Sequence, residues 1–117
     1  EDPAGKLPPC IVEVKSTTLA YGDCSMFPDA QTVRGRKHLE GLIAAKKSGI
    51  RAVQFYCVSR KDVRRFSPAD HIDKAYGDAL RRAFQAGVEV LAWTIDVSST
   101  AERHSVTLRE PIPIELN

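Results

Sequence analysis

The sequence predicts an α/β fold in which helices flank a mixed β-sheet. Three observations predict it. Short runs rich in β-branched and aromatic residues alternate with two segments of helical periodicity. Each helical segment stops at a glycine, Gly49 or Gly87, and an apolar run follows at once. The chain has 117 residues, one domain's worth.

The elements follow in order. Ile11 to Lys15 reads as a strand, bounded by Pro8 and Pro9. The turn-rich run "AYGDCSMFPDA" follows, with a short hairpin strand expected around Cys24 to Phe27. Thr32 to Lys47 reads as a helix capped by Thr32, with Leu39, Leu42, Ile43 and Lys46 on one face. Lys46 and Lys47 suit its C-terminus. "IRAVQFYCV" is nearly continuous in apolar residues, the pattern of a strand covered on both sides. "SRKDVRRFSPAD" reads as a basic loop. A second helix is expected from about Asp73 to Ala86, with Tyr76, Leu80, Ala83 and Phe84 as its buried stripe. "VEVLAWTIDVS" is a further strand, with Trp93 most simply in the core. "HSVTLRE" is a weaker edge strand, and "PIPIELN" an extended tail.

Composition narrows the class. Apolar residues make up 43% and charged residues 27%, ordinary for a folded domain. Net charge is +2, so any attraction to an anionic partner must come from local clustering of bases. The apolar runs are too short for a membrane-spanning helix, so no membrane partner is expected. The polar, proline-containing start is not a signal peptide. "EDPAGKLPP" reads as a linker, so residues 1–10 are expected to be the remnant of an upstream region and 11–117 the domain. Cys10, Cys24 and Cys57 are odd in number and lack C-x-x-C spacing, which suggests free thiols in a reducing cytoplasm.

Chemistry concentrates at two places. Glu13 and Lys15, two apart on a strand, point the same way, while Val12 and Val14 take the other face. Taken alone, E-x-K is more simply a solvated strand face. Its functional reading is definite: a carboxylate suits Mg²⁺ or Mn²⁺, and a neighbouring ammonium can orient water and stabilise charge on a phosphate. One carboxylate holds such an ion poorly, and Asp29 is the nearest second acid, although Pro-Asp also makes turns. Arg34, Arg36, Lys37 and His38 open the first helix, where cations oppose the dipole; local stability does not explain them, and they fit either phosphate contact or a solvated helix turn. Arg60, Lys61, Arg64 and Arg65 fit either a solvated loop or contacts to nucleic-acid backbone. Tyr21 and Phe66 could stack on bases, though packing is the simpler role.

Four segments together resemble the C-terminal domain of the sugar fermentation stimulation protein family: "VEVKSTTL", "FPDAQTVRGRKHLEGL", "VSRKDVRRFSPADHIDKAYGDAL" and "AGVEVLAWTIDV". The run Thr32 to Leu39 is the most specific. The resemblance implies a restriction-endonuclease-like fold of the PD-(D/E)xK superfamily, truncated here on its N-terminal side. It implies DNA as partner, with metal-dependent nuclease activity in the complete protein and a non-catalytic DNA-binding module as the alternative. Glu13 and Lys15 match the E-x-K, with Glu13 as metal ligand and Asp29 as a further catalytic candidate. Arg34, Lys37, His38, Arg60, Arg64 and Arg65 are the expected nucleic-acid contacts. In the family an upstream strand supplies the other acid, and a barrel-like domain precedes it. Without that strand the chain is expected to bind Mg²⁺ or Mn²⁺ weakly, to cleave DNA poorly or not at all, and to self-associate through the Ile11 to Lys15 edge.

Overall fold

A computed structural model of the chain describes residues 9–117. All but the last two residues of the expected linker, 1–10, lie outside that range. The elements are β1 (Cys10–Thr17), β2 (Ala20–Tyr21), β3 (Cys24–Phe27), α1 (Val33–Lys47), β4 (Arg51–Val58), β5 (Arg65–Pro68), α2 (Lys74–Gln85), β6 (Glu89–Ser99) and β7 (His104–Ile112).

The larger sheet has the order β1-β4-β6-β7. β1 and β6 run parallel to β4, and β7 runs antiparallel to β6, so the sheet is mixed as expected. Each parallel step is bridged by a helix, because two parallel strands cannot be joined by a tight turn. Thr32 caps α1 by accepting from Gly35 N at 2.9 Å, and Asp73 caps α2 by accepting from Tyr76 N at 3.0 Å. Gly49 and Gly87 follow the helix ends with φ of 88° and 100°, backbone that an L side chain resists.

A second sheet, β2-β3-β5, was only partly foreseen. The expected basic loop holds β5, which pairs parallel with β3. The expected tail is also tied down: Phe66 N donates to Pro113 O and Glu115 N to Phe66 O. Phe66 is fully buried and stacks on Tyr56 with ring centroids 4.2 Å apart. Phe27 meets Tyr56 and Tyr76 at 5.6 and 5.2 Å. Four aromatic rings thus join the two sheets and α2, each such pair worth about 0.5–1.5 kcal/mol beyond its burial.

Three expectations about burial need correction. β4 was expected to be covered on both faces. Its even-numbered residues Ala52, Tyr56 and Val58 join the core with Leu39 and Leu42 of α1 and Leu80 and Ala83 of α2. On the other face Val53 is buried, but Phe55 and Cys57 are only half-buried and Val12, Val14 and Leu91 are exposed, so among the described residues that face is only partly covered. Trp93 lies on that second face and is half-buried rather than core. Phe84 is 57% exposed and leaves the α2 stripe, which runs through Tyr76, Ala79, Leu80 and Ala83. Eight residues beyond Tyr76, it has drifted past the stripe's margin.

Candidate active site

The site begins with the strand alternation of β1. Glu13, Lys15 and Thr17 pair with Gln54, Tyr56 and Val58 of β4 and turn to the helical side of the sheet. Val12 and Val14 turn away. Glu13 and Lys15 therefore stand on the covered side of an edge strand, next to α1.

α1 brings the third member. Leu39 and Leu42 are buried and fix the helix against the sheet, which sets His38 over β1. Lys15 Nζ lies 2.7 Å from His38 Nδ1 and 3.5 Å from Glu13 Oε2, and the last two atoms are 3.5 Å apart. Lys15, Glu13 and His38 keep 16%, 32% and 29% of their side-chain area exposed. The cluster is half-dehydrated, where a charge acts more strongly than in bulk water.

Behind the cluster lies a polar layer that sequence reasoning missed. Gln54 is fully buried, and its Nε2 donates to the Glu13 carbonyl at 3.2 Å. Its polarity within an otherwise apolar run was the available signal. The Tyr56 and Tyr76 hydroxyls are 2.5 Å apart. Burial raises both phenol pKa values well above the ordinary value. For Tyr56 the Tyr76 hydroxyl adds to the rise; for Tyr76 the Tyr56 hydrogen bond lowers it and the Glu13 charge raises it.

The other expected residues divide. Asp29 is exposed and lines a cleft of about 180 Å³ with Ser16, Thr17, Thr18 and Phe27; it makes no ion pair with Lys15 or His38. Arg34 and Lys37 are exposed near His38, and Arg64 is exposed on the β5 side; none makes an ion pair among the described residues. Arg60 and Arg65 are engaged. Arg60 Nη2 lies 2.6 Å from Asp62 Oδ2, while Arg65 reaches Asp23 at 3.1 Å and Glu115 at 2.7 Å. Lys61 meets Asp96 at 2.9 Å. Among the described residues, no three His, Cys, Asp or Glu side chains come together as a metal site. No described helix is long and apolar enough to cross a membrane.

Comparison with known proteins places the chain in a family. Residues 3–101 match the family described as the sugar fermentation stimulation protein RE domain. Sugar fermentation stimulation protein homologs of Pseudomonas paraeruginosa and Pelobacter propionicus are 48% and 46% identical, over 99% of this chain and 47% of their own length. The chain thus spans about half the length of these relatives. A solved structure of Pyrococcus furiosus SfsA in complex with Ca²⁺ is 30% identical, with a TM-score of 0.78 over 90% of this chain and 45% of that one.

Proposed function

The chain belongs to the sugar fermentation stimulation protein family, and from that premise we propose that it is the nuclease-like half of a protein that binds DNA and hydrolyses its phosphodiesters with a divalent cation. One observation supports this above the others: Glu13 and Lys15 meet on one strand face, in contact with His38 of α1.

In this reading Lys15 does the work that the chain's own residues can do. Its ammonium is held where it can orient an attacking water or face the phosphate oxygen on which charge develops. Arg34 and Lys37 grip the backbone on either side. Glu13 fits a Mg²⁺ or Mn²⁺ ion as one oxygen ligand, but the described residues do not complete a site around it. We assign the second acid to the part of the full-length relatives that this chain does not span. When bound there, the cation supplies charge neutralisation and an acidified water. The calcium complex of the Pyrococcus furiosus protein supports a cation in the family.

The open side of β1 belongs to the same reading. Among the described residues β1 pairs with β4 alone, and Ile11, Val12 and Val14 are exposed. That edge is assigned to the part of the full-length relatives that this chain does not span, or to a second copy when the chain is alone. Light scattering on the chain would then give a concentration-dependent mass, and a constant monomer mass would exclude the second copy.

A non-catalytic DNA-binding module is the second reading, favoured by the single acid at the cluster. Cleavage of DNA by a full-length protein containing this chain, dependent on added Mg²⁺ and lost in Lys15→Met, decides for the enzyme. Salt-sensitive binding without cleavage decides for the module.

A further inference from the structure

We infer that His38 is a positioning residue for Lys15 rather than a phosphate contact, an inference that rests on the nuclease reading of the same site. The Lys15 ammonium has three donors and no acceptor. At 2.7 Å from Nζ, His38 Nδ1 must therefore be the acceptor, so the ring proton sits on Nε2. The 3.5 Å between His38 Nδ1 and Glu13 Oε2 is then the separation of two acceptors that share one ammonium, not an ion pair.

This arrangement does something for Lys15 that Glu13 alone cannot. A lysine side chain has a long flexible stem, and a carboxylate 3.5 Å away attracts it without fixing its direction. His38 comes from a different element, seated by the buried Leu39 and Leu42. Its lone pair takes one N–H at a short distance and leaves the other two donors with defined directions. One points to the Glu13 side, and one remains for water or a phosphate oxygen. When Glu13 turns to a cation, His38 still holds the ammonium in place.

The test has two arms. The first reads the proton directly and needs no activity. The ring ¹⁵N and ¹H signals of His38 are recorded in this chain at about pH 8, above the ordinary histidine range. The Nε2–H tautomer should dominate, and Lys15→Met should shift its population toward a mixture. An Nδ1–H tautomer, or signals unmoved by Lys15→Met, overturns the inference.

The second arm uses a full-length protein containing this chain, with Mg²⁺ and DNA. His38→Ala should lower kcat about ten- to a hundredfold with KM nearly unchanged, the scale typical of lost supporting contacts. His38→Asn, whose carbonyl oxygen can replace Nδ1, should recover most of that loss. A rise in KM and a flatter salt dependence without a fall in kcat would mean that His38 grips phosphate and would overturn the inference. If the wild type does not cleave at all, the nuclease reading falls, while the first arm still decides how Lys15 is held.

Discussion

Thr32 N donates to Asp73 Oδ2 at 2.8 Å, while the other oxygen of the same carboxylate accepts from Tyr76 N at 3.0 Å. One buried acid thus caps α2 and ties down the residue that caps α1. Neither helix has an acidic residue in its first turn. Among the described residues Asp73 is the one carboxylate that meets both N-termini, and it holds the helix that presents His38.

Asp73→Ala should therefore cost more than an ordinary cap. A lost cap is worth about 1 kcal/mol, and a donor stranded in a partly buried place costs about 1–3 kcal/mol more. Urea denaturation should show a loss of about 2–4 kcal/mol. A loss under about 0.5 kcal/mol would mean that the two helix starts are held by packing alone.

Two glycines of α1 should respond oppositely to alanine. A Cβ at Gly35 would lie 2.9 Å from Thr32 Cγ2 and 3.2 Å from Tyr76 Cε2, whereas one at Gly41 would meet nothing within 4 Å. Gly41→Ala should stabilise by about 0.5–1 kcal/mol through helix propensity. Gly35→Ala should destabilise by at least about 1 kcal/mol, because overpacking and a disturbed cap outweigh the same propensity gain. Thermal melts of the two variants check the opposite signs.

The buried tyrosine pair sets an alkaline limit. Burial raises both phenol pKa values, so above about pH 10 the unfolded chain releases protons that the folded chain keeps. Stability owed to this pair is intact below that pH and falls as pH rises through it, by about 1.4 kcal/mol per pH unit for each tyrosine. Urea midpoints between about pH 9 and 11 should fall less steeply in Tyr56→Phe than in the wild type. Equal slopes would contradict the buried pair.

The cations divide by their engagement. Arg34, Lys37 and Arg64 make no ion pair among the described residues, while Arg60 and Arg65 do. Replacing each of the first three by Gln should flatten the salt dependence of DNA affinity by about one counterion. Arg60→Gln and Arg65→Gln should do so less. Anisotropy titrations at several salt concentrations measure it, and equal slopes for all five would show that the ion pairs open on DNA.

Much of this was legible in the sequence because its signals were local. The cap at Thr32, the glycine stops, the second helix beginning near Asp73 and the shared face of Glu13 and Lys15 follow from local residue chemistry and backbone periodicity. What escaped depends on contacts between segments far apart in the chain. β5 is a strand because β3 and the Pro113–Glu115 stretch pair with it, and "RFSP" carries no strand signal of its own. β4 looks covered on both sides because its composition is apolar throughout, yet composition does not say what lies on the far face. At the site, Lys15 and His38 are 23 residues apart, and only the packing of α1 on β1 brings them to 2.7 Å. Asp29 lines a cleft beside the end of β1 with Ser16, Thr17 and Phe27, a placement that Pro-Asp turn chemistry does not reveal.

The central claim is that Glu13 and Lys15 are working groups of a metal-dependent phosphodiester site. DNA cleavage by a full-length protein containing this chain, with and without Mg²⁺, in wild type, Glu13→Gln and Lys15→Met, tests it most directly. Cleavage that needs the cation and falls at least about a hundredfold in each variant, with folding intact, is the predicted result. Undiminished cleavage in both variants, or none in the wild type with Mg²⁺ or Mn²⁺, would contradict it.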